Sequence, residues 1–141
     1  GTVDAIKAVT TLVSDSVEFK GARALALSVS APFHCSLMAP AKKAMTPLIE
    51  ATTFLRPNCF VIPNVTAQPI NIEHQFRMLL IEQITRPVLW EQSMLQLKGL
   101  EVTRVIEVGP GRVLSGLHKR IDRTMPVASI SEGAQLKEVM A

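Results

Sequence analysis

The sequence predicts an α/β fold with a parallel sheet, and three observations carry that prediction. From residue 59 onward, short apolar runs (Cys59-Phe60-Val61-Ile62, then Thr103 to Val108, then Met125 to Ile130) alternate with segments of helical spacing. Strands that alternate with helices call for crossover connections and therefore for parallel pairing. The first run has no polar alternate and is bounded by Pro57 and Pro63, the pattern of a strand covered on both faces. Finally, 141 residues without repeats or low-complexity linkers make one domain's length.

The elements follow in order. Val3, Ile6, Val9, Val13 and Val17 recur near a 3.6-residue period, which predicts an amphipathic helix over 3–19 with Thr2 as N-cap and Asp4 in its first turn. Gly21 breaks it. Ala22 to Val29 alternates, with Leu25, Leu27 and Val29 on one face, and is expected to be a strand. One helix and one strand cannot bury both their apolar faces, so further structure is expected to cover them. After the loop at Ser30-Ala31-Pro32-Phe33-His34-Cys35-Ser36-Leu37-Met38, Pro40 suits the first turn of a helix ending near Phe54, which Pro47 shortens or kinks. Asn64-Val65-Thr66 begins a loop at the end of the strand at 59–62. Asn71 is expected to cap a helix through Gln83, which Thr85-Arg86-Pro87 stops. Val88 to Leu97 forms the next, with Leu89, Trp90, Met94 and Leu97 buried and Gly99 closing it. Beyond the strand at 103–108, Gly109-Pro110-Gly111 makes a sharp turn into a helix with a stripe of Val113, Leu114, Leu117 and Ile121. A short strand and a tail helix over 136–140 finish the pattern.

Composition narrows the function. Apolar residues make up 48% but aromatics only 4%, with no tyrosine, so the core is aliphatic. A net charge of +3 without aromatics among the basic residues argues against a nucleic-acid binder. Two irregularly placed cysteines, Cys35 and Cys59, give neither a disulfide framework nor a zinc site, and they read as reduced thiols in a cytoplasmic protein. No apolar run reaches the roughly 18 residues of a membrane span, and the first residues lack the basic and apolar regions of a signal peptide. A soluble protein is expected, with no metal site.

His34 stands on a loop with a predicted rigid element on each side, a place where catalytic groups are often held. On the loop alone, the plainer reading is a structural histidine. Pro32-Phe33-His34-Cys35-Ser36-Leu37-Met38, the segment from Gln83 to Trp90, and Glu107-Val108-Gly109-Pro110-Gly111-Arg112-Val113-Leu114 together resemble malonyl-CoA:acyl carrier protein transacylases. These enzymes load malonyl units for fatty-acid synthesis. The resemblance runs along essentially the whole chain and is to the C-terminal half of the family.

That resemblance implies an α/β-hydrolase-like parallel sheet in a large subdomain, with a ferredoxin-like small subdomain inserted. Residues 1–29 would be the last helix and strand of the small subdomain, and residues 30–141 the C-terminal part of the large one. His34 would be the general acid/base, passing a serine's proton to a departing thiol. The main-chain carbonyl of Gln83 would orient the imidazole, the alternative being an ordinary helix-end residue. Phe33 would fill the space that an α-methyl branch on the acyl group needs, or else anchor the loop as a core aromatic. Independently of the resemblance, Asn64 follows a predicted strand's C-terminal end, where ligands gather in open α/β sheets; it would line the pocket, the plainer reading being a turn residue. Arg112, Lys119, Arg120 and Arg123 would meet the acidic acyl carrier protein, or else form a solvated helix face.

The implied substrates are malonyl-CoA and the carrier protein's pantetheine thiol, with no cofactor beyond the coenzyme A thioester and no nucleic-acid or membrane partner. The family's Gly-x-Ser-x-Gly elbow is absent; the nearest candidate, Val113-Leu114-Ser115-Gly116, lacks the first glycine. The nucleophile, the oxyanion-hole donors and the carboxylate-binding arginine would come from a missing N-terminal half, and the stretch at hand is expected to be inactive alone. Two other readings stay open: a non-catalytic module that binds acyl carrier protein, and a fragment of a polyketide synthase acyltransferase domain. Gly109-Pro110-Gly111 before a helix also suggests a phosphate cradle, but it lacks the lysine and glycine spacing of one.

Overall fold

The computed structural model describes residues 1–26 and 29–140. Packing divides the chain into two units, Gly1–Arg56 with Ile72–Val88, and Pro57–Asn71 with Leu89–Ala141.

In the first unit, α1 spans Val3–Asp15. The Thr2 hydroxyl accepts the Ala5 N–H at 3.3 Å, which satisfies one of the donors a helix start leaves unpaired. The helix ends earlier than its apolar spacing predicts. Ser16 turns extended and its hydroxyl accepts from the Glu18 N–H, so Val17–Phe19 tightens into a 3₁₀ turn. The stripe of Val3, Ile6, Val9 and Leu12 is more than half exposed at every position. The strand expected at Ala22–Val29 is not formed in its described residues, and Leu27 and Ser28 lie outside them. A strand needs a neighbour for its N–H and C=O groups, and no described residue pairs with this one; Leu25 is 80% exposed.

A 3₁₀ turn at Ser36–Met38 leads into α2, Ala39–Ala51. Pro40 sits in the first turn, where its missing N–H matters little. The helix runs through Pro47 and stops at Ala51, short of Phe54. Helix α3, Glu73–Gln83, packs on α2 and buries Leu79. Its Arg77 guanidinium donates to the Thr52 carbonyl at 3.2 Å and so finishes the end of α2. Asn71 does not cap α3. Extended Ile72 takes that position without a side-chain bond, and its carbonyl accepts from Gln75 at 3.2 Å.

In the second unit, the expected parallel strand at 59–62 is reduced to one antiparallel bridge, Val61 with Ile70, made by two 2.8 Å bonds. Pro57 and Pro63 supply no N–H on either side, and Cys59 and Phe60 are exposed. Between the bridge residues, Val65 and Ala67 are buried. Helix α4, Trp90–Gly99, is shifted two residues later than predicted, and Ser93 is its buried position, its hydroxyl bonding the Leu89 carbonyl. Gly99 stays within the helix. The left-handed residue after it is Glu101, φ 55°. Strands β1 (Val105–Val108) and β2 (Val127–Ile130) then pair in parallel, with Val105 opposite Val127 and Val108 opposite Ile130, joined through α5, Val113–Ile121. This is the strand–helix–strand unit that the alternation predicts, with each strand shorter than expected. The predicted stripe of α5 is not its buried face: Val113 is 71% exposed and Leu114 44%, whereas Ser115 and His118 are buried. Helix α6, Gly133–Met140, starts three residues before the predicted tail helix, held by the Gln135 side chain accepting from Ser131 N–H at 2.8 Å.

Candidate functional site

The site candidate in the first unit is built on a loop and a helix end. His34 is a non-glycine residue at φ 57°, in the left-handed region that such residues rarely enter. Short bonds on both sides hold it there: Phe33 N–H to the Ala31 carbonyl at 2.9 Å, the Cys35 thiol to the Pro32 carbonyl at 3.1 Å, and Met38 N–H to the Cys35 carbonyl at 3.0 Å. Strained, over-determined backbone of this kind gathers at functional sites. From this position the imidazole Nδ1 lies 2.8 Å from the main-chain oxygen of Gln83.

Gln83 is the last residue of α3, so its carbonyl is among those that a helix end leaves without a partner. A carbonyl can only accept, so Nδ1 carries the hydrogen. In the neutral ring the lone pair then lies on Nε2. His34 is exposed, and Nε2 is open to take a proton from a group brought to it. The Gln83 side-chain amide plays no part in this bond. Phe33, next along the loop, is 54% exposed and does not anchor the loop in a core. Beyond the helix end, Arg86 pairs with Glu82 at 3.1 Å.

The other sequence-predicted residues belong to the second unit. Asn64 sits in a turn closed by Ala67 N–H on the Pro63 carbonyl at 2.9 Å, and its own carbonyl accepts the Leu89 N–H at 2.8 Å, just before α4. Lys119, Arg120 and Arg123 together line a shallow depression with Thr124, Met125, Pro126 and Val127, and all three cations are exposed. Arg112 is at the opposite end of α5, as its N-cap residue. Seven residues of helix separate it from Lys119 by roughly 10 Å along the axis. The structure thus gathers three of the four cations and leaves Arg112 apart.

The Gly109-Pro110-Gly111 turn relies on both glycines, at φ 134° and 87°. It is not free to cradle phosphate. The Glu107 carboxylate crosses the turn and accepts from the Leu114 and Ser115 N–H groups at 3.0 and 2.9 Å, the donors an anion would use. The Ser115 hydroxyl donates to the same carboxylate at 2.5 Å and lies 2.8 Å from Ser129 Oγ. These bonds, the Ser115 hydroxyl foremost, hold the Glu107 carboxyl below its ordinary value. Ser115, the nearest approach to an elbow serine, is buried and engaged here.

Sequence reasoning missed Glu107, although an acidic residue two places before a glycine turn and a helix is a readable signal. It also missed Asp122, at the C-terminal end of α5. The Thr124 hydroxyl and N–H, and then Lys98 at 3.3 Å, hold that carboxyl well below the usual carboxylate range. Among the described residues, no cluster of three or more His, Cys, Asp or Glu could hold a metal ion, and no helix is long and apolar enough to cross a membrane.

No family model matches the chain. A malonyl CoA-acyl carrier protein transacylase from Bacillus subtilis is 38% identical over 122 residues, covering 86% of this chain and 38% of that protein. The crystal structure of an acyl carrier protein S-malonyltransferase from Vibrio cholerae superposes with a TM-score of 0.86 at 34% identity, covering 99% of this chain and 44% of that one. A malonyl-transacylase solved in complex with its type II PKS acyl-carrier protein gives 0.85 at 33% identity, over 97% and 43% of the two chains. Over nearly its whole length the chain is therefore homologous to part of the malonyl CoA-acyl carrier protein transacylases, and it spans less than half the length of the relatives it matches.

Proposed function

We propose that this chain is the C-terminal part of a malonyl-CoA:acyl carrier protein transacylase, with His34 as its general acid/base and the Gln83 main-chain carbonyl as the group that orients it. The observation that carries the reading is the 2.8 Å contact from Nδ1 to that carbonyl, which leaves Nε2 as the open position. In the proposed cycle a serine from the remainder of the enzyme gives its proton to His34 Nε2 as its oxygen attacks the malonyl thioester carbonyl. The carbon–sulfur bond breaks, and the coenzyme A sulfur leaves with that proton. The pantetheine thiol of the carrier protein then gives its proton to Nε2 and attacks the serine ester, and the serine oxygen recovers the proton as it departs.

Within this reading the chain is an α/β-hydrolase-like sheet's C-terminal part, with residues 1–29 from a ferredoxin-like subdomain and 30–141 from the large one. The exposed stripe of α1 and the exposed Leu25 suit a fold in which further polypeptide covers them. Phe33 limits the acyl branch, and Asn64 contributes through its turn. Lys119, Arg120 and Arg123 attract the acidic carrier protein, with Arg112 a more distant contributor. The reaction uses no cofactor beyond the thioester, in the cytoplasm.

The proposed reaction is tested by malonyl transfer to acyl carrier protein by the 141-residue chain, with and without an N-terminal segment from a relative. Transfer only with the added segment is expected. Transfer by the chain alone, or none in either case, would defeat the reading. In the active mixture, a methylmalonyl thioester should transfer more slowly, since a pocket rejects one methyl by about 1–3 kcal/mol. Reversing the charge of Lys119, Arg120 and Arg123 should slow transfer most at low salt. An unchanged rate in either comparison removes the corresponding role.

A further inference from the structure

We infer that Pro87 is a positioning residue for His34: it lacks the N–H that would otherwise take the Gln83 carbonyl, and so keeps that oxygen available to the imidazole. Hydrogen-bond accounting at the end of α3 gives the reason. In a helix each carbonyl accepts from the N–H four residues on. One four-residue rung survives past the last helical residue. Ile84 keeps right-handed angles, φ −60° and ψ −34°, and the Arg86 N–H still reaches the Glu82 carbonyl at 3.2 Å, with Thr85 N–H on the same oxygen at 3.1 Å. The next rung would join residue 87 N–H to the Gln83 carbonyl. Residue 87 is proline, which has no N–H to offer. The donor missing at position 87 therefore falls on the one carbonyl that His34 Nδ1 contacts at 2.8 Å.

A different residue at 87 would set a local donor, four residues away, against a side chain that must arrive from 49 positions earlier in the chain. The local donor has the smaller closure entropy. Proline removes that competition and leaves the neighbouring Glu82 carbonyl to gather the turn's remaining N–H groups. The bearing of Pro87 on catalysis rests on the proposed role of His34, but the hydrogen-bond competition does not.

The test is the tautomer of His34, read from long-range ¹H–¹⁵N NMR correlations of the imidazole in the 141-residue chain. The parent chain should show the ring protonated on Nδ1 and bare on Nε2 at neutral pH. In Pro87→Ala the ratio of Nδ1–H to Nε2–H forms should fall by roughly 3–10-fold, the factor that one net hydrogen bond carries, and the backbone amide created at position 87 should become protected from hydrogen exchange. A second variant replaces residue 87 by L-lactic acid, whose ester link has neither ring nor N–H; it should keep the parent tautomer. An unchanged tautomer in Pro87→Ala, with the new amide unprotected, would overturn the inference. So would loss of the Nδ1–H form in the lactic acid variant, whether or not Pro87→Ala folds. Neither readout uses acyl transfer, so a failed transfer assay and a failed tautomer measurement are told apart.

Discussion

The C-terminal end of α3 and the N-terminal end of α5 each receive a side chain from elsewhere in the sequence, and the two arrangements differ in what they leave over. At α5, Glu107 meets two backbone N–H groups and the Ser115 hydroxyl, with Ser129 close by, and the carboxylate is almost wholly buried. Its capacity is filled by the fold. At α3, His34 gives one nitrogen to the Gln83 carbonyl and remains exposed with the other. A group whose every valence serves the backbone stabilises; a group fixed through one atom and open at another can do chemistry. The same helix-end physics therefore yields a filled clamp in one unit and, in the other, an imidazole held through one nitrogen with its ring exposed.

The strongest effect is expected at His34. His34→Ala in the complemented transfer assay should lower the rate by about 10²–10⁴-fold, the usual worth of a general acid/base. Gln83→Ala should stay close to the parent because the contact is made by the main chain. Equal losses in both variants would mean that the Gln83 side chain, not its carbonyl, matters.

At the other helix end the readout is stability instead of rate. Glu107→Ala leaves the Leu114 and Ser115 N–H groups at the start of α5 without their acceptor, and the thermal midpoint should drop by about 5 °C. Because the folded state holds this carboxyl below its ordinary 4.5, the unfolded chain takes up the proton first as pH falls. The stabilisation is complete above about pH 5 and is lost as pH drops through and beneath 4.5. Glu107→Gln should flatten that part of the stability–pH curve, leaving the acid loss due to Asp122, whose ordinary value is 3.8. An unaltered curve between about pH 3 and 5 would show that the clamp does not bind protons differently on unfolding.

Much of this was legible in the sequence where the information is local. Thr2 as the cap of α1, Pro40 in the first turn of α2, and the order β1, α5, β2 all follow from spacing and from residues that start or stop helices. The strands expected at 22–29 and 59–62 do not form among the described residues, because a strand exists only through a neighbour that its own residues do not specify. The face of α5 departs from its apolar pattern for a related reason. Val113, Leu114 and Leu117 form an apolar stripe on paper, but Glu107 and Ser129 draw Ser115 inward and rotate His118 into the buried side. Long-range polar bonds overrode periodicity. The His34–Gln83 contact, across 49 residues, came from the resemblance to the transacylases; composition and spacing alone give no sign of it.

A further effect on stability is expected one helical turn beyond Ser115, at His118. Its ring is 1% exposed, and among the described residues neither Nδ1 nor Nε2 has a hydrogen-bond partner. This is the reverse of Glu107 on the same side of α5: one polar group with every atom engaged, and one with none. An unpaired buried polar group weakens the fold, whereas an apolar group of similar volume in its place carries no such penalty. His118→Leu should therefore raise stability by about 1–2 kcal/mol in denaturant unfolding. His118→Ala should lower it, because the cavity it opens outweighs the polar groups it removes. The pair of variants separates shape from hydrogen bonding. If Leu destabilises as Ala does, the imidazole nitrogens are satisfied within the fold, and the contrast between Glu107 and His118 disappears.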